Sequence, residues 1–190
     1  LPISCEVTPS HLFLTEEAVF GPGRTPAYDT NAKINPPLRT ENDRQALVRG
    51  VNDGTVDAIA TDHAPHAAED KFCEFDDAAS GISCFETALG TLMTSVERGE
   101  LSLPAVLRAL TVGPSLAFAI DLRIAGAGAL KVGVSSDITI FHPTEPWVVD
   151  PQQFASRGKN TPLGGRELHG RVRAVIVGGK LTLHEEVAHA

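Results

Sequence analysis

The stretch with the most chemistry in this sequence is Asp62-His63-Ala64-Pro65-His66. It directly follows Val56 to Thr61, a short and mostly apolar run of the kind that forms a strand buried on both faces. A carboxylate at the end of a strand can ligate a hard or borderline cation, or hold a proton for general acid–base work. His66 follows past Pro65, which stiffens the turn, so its imidazole can be held over the same mouth to donate to a bound anion. Taken alone, Asp-x-x-x-His also suits a surface turn with a local Asp–His contact.

Two neighbouring segments add weight to the first reading. Asn35-Pro36-Pro37-Leu38-Arg39 ends a long Gly- and Pro-broken stretch from Ser10 to Pro37, and long loops in compact domains are usually functional. Downstream, Ser80-Gly81 is expected to open a helix, where free backbone N–H groups at Gly81 and Ile82 suit a carboxylate or carbonyl. All three segments would converge at one end of a barrel of alternating strands and helices, where chemistry sits at the C-terminal ends of strands.

The elements that must position them are legible in outline. Ile3 to Val7 reads as a strand ended by Thr8-Pro9, and Ser10 to Pro37 as irregular. Thr40 caps a helix with Asp43 three residues on; Ala46, Leu47 and Val51 form its apolar stripe and Gly54 stops it. Ile82, Phe85, Leu89, Leu92, Met93 and Val96 recur at helical spacing up to Gly99. Ser102 caps another helix with Pro104 in its first turn and Val106, Leu107 and Leu110 inward, and a helical turn is expected over Leu116 to Ala119. The texture changes near Asp121. Strands are expected at Asp137 to Phe141 and Arg171 to Val177, with Gly178-Gly179 turning tightly into Lys180 to Leu183. Trp147 and Phe154 would pack this appendage.

Composition excludes several classes. A formal net charge of −8 over 190 residues argues against a general nucleic-acid binder, and no run approaches the apolar length of a membrane span. Cys5, Cys73 and Cys84 make neither a disulfide framework nor a Cys-x-x-Cys site, so we expect free thiols in a reducing cytoplasm. The opening Leu1-Pro2-Ile3 reads as a strand already under way, and an upstream portion is expected.

Lys33-Ile34-Asn35-Pro36-Pro37-Leu38-Arg39, then Ala60-Thr61-Asp62-His63-Ala64-Pro65-His66, then Gly81-Ile82 with Phe85-Glu86-Thr87 resemble dihydroorotases of the amidohydrolase superfamily, in that order and spacing. Cys5-Glu6-Val7-Thr8-Pro9, Leu130-Lys131-Val132-Gly133 with Asp137, and Gly158-Lys159-Asn160-Thr161-Pro162 extend the resemblance over nearly the whole chain. It implies an α/β fold: residues 1–122 as the C-terminal part of a (β/α)8 TIM-type barrel, and residues 123–190 as strands of a small β-sandwich with a polar tail. It also implies zinc-dependent, reversible hydrolysis of dihydroorotate to N-carbamoyl-aspartate in de novo pyrimidine biosynthesis. Asp62 would be one zinc ligand and the general base, passing a proton from the attacking water to the leaving nitrogen. Asn35, His66, Gly81 and Ile82 would bind substrate, His66 at its carboxylate.

The resemblance further implies that the remaining ligands for one or two zinc ions lie upstream of Leu1. These 190 residues alone would then bind no metal, and activity would need the N-terminal half of the same protein. A homodimer, and aspartate transcarbamoylase as a partner, are implied too. The sequence departs from the family at Ser10-His11, where two histidines are usual, and at Ala79-Ser80. We read His11 as a polar turn residue, and His63 as structural or as supporting a site residue ahead of binding substrate itself. His142, His169, His184 and His189 should face solvent, and Asp76-Asp77 and Glu185-Glu186 should be solvated charge runs. Two alternatives are a hydantoinase-, dihydropyrimidinase- or allantoinase-type hydrolase, and a non-catalytic dihydroorotase-like scaffold subunit.

Overall fold

Val7 and Ile59 are adjacent in a parallel strand pair, and this pairing sets the frame for the first part of the chain. In the computed structural model, which describes residues 3–21, 27–120 and 123–184, β1 (Glu6–Val7) lies alongside β2 (Ala58–Ile59) with Glu6 opposite Ala58. Parallel strands need a crossover, supplied here by α1 (Pro9–Phe13), α2 (Glu17–Phe20) and α3 (Glu41–Asp53). After β2 come α4 (Ala68–Lys71), α5 (Phe85–Glu97), α6 (Leu103–Leu110) and α7 (Val112–Ala117). A second, antiparallel sheet follows: β3 (Ile138–Val148), β4 (Glu167–Val177) and β5 (Lys180–His184), in that order.

Local chemistry explains most boundaries. Thr40 accepts from the Asp43 N–H while Asp43 accepts from Thr40, a complete capping box, and Gly54 ends α3 in the left-handed region. Ser102 caps α6 by accepting from Ala105. Gly178 and Gly179, both at positive φ, form the two-residue turn between β4 and β5.

Other expectations need correction. Ser10 to Pro37 is not irregular throughout: Thr8 caps α1 by accepting from the His11 N–H, Pro9 fits its first turn, and a 3-10 turn spans Thr30–Ala32. The helix expected from Gly81 begins at Phe85. Phe85 and Leu107 face outward rather than into the core, and so does Ala46. β3 runs on past Phe141 through Pro143 and Pro146: it is an edge strand of its sheet, where proline is tolerated, and Pro143 falls in the irregular stretch between His142 and Pro146. The breaks expected at Pro22, Gly23 and Pro26, the change at Asp121, and the tail bearing Glu185, Glu186 and His189 lie outside the described residues.

Among the described residues, two hydrophobic cores hold the fold. The first joins Val7 and Ile59 to Val51 of α3, Leu92 and Met93 of α5 and Val106 of α6. Each such side chain contributes about 1.5–3 kcal/mol through removal of apolar surface from water. The second core joins Leu14, Ala32 and Leu38 from the first part to Val149, Phe154 and Leu168 from the sheet region, with Trp147 against it. Trp147 and Phe154 therefore pack the appendage, as expected, and also join it to the first part.

The buried stripe of α3 contains a cation. Arg44 is 8% exposed and donates to the Leu12 carbonyl at 2.9 Å and to Glu100 at 2.9 and 3.1 Å. It also forms a bidentate pair with Glu41, both contacts at 2.7 Å. Hydrogen bonds from Arg44 and Gln45 pull the Glu41 carboxyl down to about 2. This contribution is fully present above the ordinary glutamate value of 4.5 and is lost as pH falls through about 2. The clamp ties α3 to the end of α1 and to the α5–α6 turn. Arg44→Met in the parent protein should lower stability by about 1–3 kcal/mol, read as a shifted midpoint in urea denaturation.

Candidate active site

β2 ends two residues before the turn into Asp62, which sits at φ 48° in the left-handed region. Aspartate tolerates that conformation better than most side chains. The sharp turn leaves its carboxylate exposed, with no hydrogen bond from any described residue. Beyond it the chain pairs again: His63 and Ile82 form a parallel bridge, and the Ala64 N–H donates to the Ile82 carbonyl at 3.0 Å.

His63 makes specific contacts in the structure. Its Nδ1 accepts from the N–H groups of Cys84 at 3.0 Å and Phe85 at 3.2 Å, taking the place of a helix cap for α5. Its ring stacks on Phe85 with centroids 3.8 Å apart. An Nδ1 that accepts carries no proton, so Nε2 is the protonated nitrogen and faces the Ser156 Oγ at 3.3 Å. Ser156 in turn donates to Glu86 from both Oγ and its backbone N–H, each at 2.8 Å. Cys84, the N-cap residue, has no side-chain bond of its own to those amides.

Gly81 and Ile82 lie in extended chain before the helix, so free N–H groups at a helix start are not what they offer. The Gly81 N–H donates to the Lys33 carbonyl at 2.8 Å. That bond joins the segment carrying Asn35 to the segment carrying Ile82. Any larger residue at 81 would collide, since a Cβ there would meet Ala64 Cβ at 2.6 Å and His66 Nε2 at 2.8 Å. The Asn35 segment is fixed from a further side: His11 Nε2 lies 2.9 Å from the Pro36 carbonyl and its Nδ1 2.7 Å from Thr8 Oγ1. Asn35 itself is exposed. The Lys33 ammonium donates to the Phe75 carbonyl at 2.7 Å, and that of Lys71 to Ala79 at 2.6 Å and Thr30 at 3.0 Å. The segments carrying Asn35, Asp62–His66 and Gly81–Ile82 are thus linked through the backbone of Lys33, Ala64, Gly81 and Ile82.

His66 is half-buried with Nε2 3.1 Å from the Ser80 carbonyl and Nδ1 3.9 Å from Asp70. Facing a carbonyl, Nε2 is the nitrogen that carries the proton, so a substrate carboxylate would be met by Nε2 in place of the Ser80 carbonyl, or by Nδ1 only with both ring nitrogens protonated. His66 borders a cavity of about 410 Å3 together with Asn31, Lys71, Arg157 and Asn160.

The charges around this turn are mixed. Burial pushes the Cys84 thiol up to about 12, and the nearby carboxylates of Asp62 and Glu86 add to that. Burial also raises Glu86, but the two bonds from Ser156 outweigh it and its carboxyl lies below the ordinary value. Lys71 is lowered by burial and by the neighbouring Lys33. Among the described residues, no three or more His, Cys, Asp or Glu side chains gather as a metal site. The free carboxylate of Asp62 fits as one ligand, and zinc needs about three or more from the protein.

Of the remaining histidines, His142 is exposed. His169 is not solvent-facing: it is half-buried, with its Nδ1 2.5 Å from Glu97 Oε2. Of His184 only the backbone is described. Sequence reading missed the cap made by His63, the contacts of Ser156 and Asn160, and the carbonyl bonds of the two lysines. The resemblance had marked Asn160, but no local pattern gives it a partner.

Residues 26–182 match the amidohydrolase family. The chain is similar to the dihydroorotase of Anaeromyxobacter sp. (strain K), 46% identical over 186 residues, which are 98% of this chain and 41% of that protein. It is similar to the dihydroorotase of Syntrophus aciditrophicus (strain SB), at 43% over 184 residues, 97% of this chain and 41% of that protein. Among solved structures, the L-hydantoinase (dihydropyrimidinase) from Arthrobacter aurescens matches with a TM-score of 0.84 and 26% identity, over 98% of this chain and 40% of that one. The D-hydantoinase (dihydropyrimidinase) from Thermus sp. also has a TM-score of 0.84, with 24% identity over 96% of this chain and 40% of that one. The chain spans about two fifths of the length of the curated relatives it matches, 41% for both of those named here.

Two outcomes follow from the site. Peptide-resolved alkylation of the native parent protein at pH 8 should label the exposed Cys73 well before Cys84, whose thiol stays protonated and buried. His63→Leu should keep the volume but lose the cap on α5, lowering stability by about 1 kcal/mol in thermal or urea unfolding.

Proposed function

The chain belongs to the amidohydrolase family, and on that premise we propose that the protein containing it is a zinc-dependent dihydroorotase. In this reading it interconverts dihydroorotate and N-carbamoyl-aspartate in de novo pyrimidine biosynthesis, in the cytoplasm. The observation that carries the reading is the turn Asp62–His66, held against the Asn35 segment and Gly81–Ile82, in a chain 43–46% identical to proteins named dihydroorotase. Residues 1–122 form the C-terminal part of a barrel, with β1 and β2 as two of its neighbouring strands. Residues 123–190 contribute strands to a small β-sandwich.

The reaction adds water across a ring amide. A C–O bond forms at the ring carbonyl, the C–N bond breaks, and the nitrogen leaves with a proton. Asp62 serves as one metal ligand and as the base that accepts the water's proton and returns it to the leaving nitrogen. Its exposed carboxylate, turned out of the strand end by a left-handed residue, is free for both tasks. Zinc, when bound with ligands from the rest of the protein, supplies a Lewis acid and lowers the pKa of water. Asn35 and His66 hold the substrate, His66 at its carboxylate through the Nε2–H that otherwise meets the Ser80 carbonyl. Gly81 and Ile82 complete the substrate wall: the Gly81 N–H is engaged by Lys33 and Ile82 is paired with His63, and Gly81 gives the close approach. A homodimer and an association with aspartate transcarbamoylase belong to the same proposal.

A hydantoinase-type activity is the second reading, supported by the likeness to the Arthrobacter aurescens L-hydantoinase structure. His66 favours the first, because it provides a donor for a ring carboxylate that hydantoin and dihydrouracil lack.

The full-length protein should turn over dihydroorotate in strong preference to hydantoin, dihydrouracil and allantoin. Asp62→Asn should lower kcat by roughly 10^2–10^4-fold while the protein stays folded. Preferential turnover of hydantoin would replace the first reading by the second, and indifference to Asp62→Asn would point to a scaffold.

A further inference from the structure

Asn160, in the loop between β3 and β4, reaches both walls of the site with one side chain. It is 6% exposed. Its Nδ2 donates to the Ala64 carbonyl at 3.2 Å and to the Gly81 carbonyl at 3.0 Å. Its Oδ1 accepts from the His66 N–H at 2.8 Å, and its own carbonyl accepts from the Ser83 N–H at 2.8 Å. Two carbonyls on one end and an N–H on the other fix which way the amide points. Aspartate could not do this, having no donor for the two carbonyls.

The loop is shaped to deliver that amide. Gly158 lies so close to the turn that a Cβ would meet Pro65 Cβ at 2.5 Å and the His66 nitrogen at 2.8 Å. Lys159 stiffens the loop from inside, donating to the Phe154 carbonyl at 2.6 Å and the Ser156 carbonyl at 2.8 Å. Ser156 touches His63 from the same loop.

We propose that Asn160 is a positioning residue of the active site. Through the His66 amide and the Gly81 carbonyl it sets the spacing between the donor for the substrate carboxylate and the Gly81–Ile82 backbone. The appendage thereby takes part in substrate binding without touching substrate. This rests on the reading of His66 as that donor.

The test uses Asn160→Asp and Asn160→Ala in the full-length protein, with steady-state kinetics on dihydroorotate and amide hydrogen exchange over residues 62–66 and 80–84. Exchange should quicken about tenfold or more in both segments. KM should rise roughly 10- to 100-fold with kcat held within about threefold. A merely structural lesion would shrink the folded fraction, lowering kcat and leaving KM unmoved; that result overturns the proposal, and so does unchanged exchange. Should both variants fail to fold, Gly158→Ala, which pushes the loop off Pro65 and keeps Asn160, must give the same rise in KM or the proposal falls. A parent protein that does not hydrolyse dihydroorotate removes the substrate assignment, while the exchange data still decide whether Asn160 holds the two segments together.

Discussion

Backbone N–H and C=O groups that leave water must find partners, and the site described here is built where strand pairing has run out. β1 and β2 pair over two residues each, and a single bridge continues at His63 and Ile82. The polar groups beyond that point are met by side chains: an imidazole caps Cys84 and Phe85, an amide joins Ala64, His66 and Gly81, and ammonium groups hold Phe75, Thr30 and Ala79. An unpaired buried group costs about 1–3 kcal/mol, so each of these polar side chains holds a stretch of backbone in place. Irregular chain can be as fixed as a sheet when its hydrogen bonds are complete.

The same economy explains why so few of the polar residues near Asp62 are free. Lys33 and Lys71 are cations without a carboxylate partner in the bonds they make, spent on carbonyl dipoles. Glu86 is spent on Ser156, and His63 on α5. Asp62 stands apart, exposed and without a hydrogen bond from the described residues. A carboxylate kept clear of donors in a turn otherwise saturated with them is suited to meeting a ligand that arrives from outside the chain.

What the sequence made legible was local. Thr40 with Asp43, Ser102, and Gly178-Gly179 act within a few residues, and each does what its type and spacing say. The α/β order and the placing of Asp62 after a buried strand were legible for the same reason. The start of α5 was misplaced because Ser80-Gly81 looks like a cap, whereas the capping group is His63, which no helix-start pattern includes. Ser10 to Pro37 read as loop because Pro and Gly dominate it, yet Thr8-Pro9 starts a short helix there. Phe85 fitted the apolar period of its helix, but its ring is drawn outward onto His63. The partners of the Asn160 side chain were beyond reach, being 79 to 96 residues away in sequence.

The second core, which straddles the two parts of the chain, bears on how the molecule acquires its site in time. Leu14, Ala32 and Leu38 have their apolar neighbours in Val149, Phe154 and Leu168. Closing loops of that length costs entropy before any contact rewards it. The local helices can form early, but the turn bearing Asp62 is locked only when the distant loop has docked. During synthesis the geometry of this turn is therefore a late product, completed only after the loop bearing Asn160 has left the ribosome.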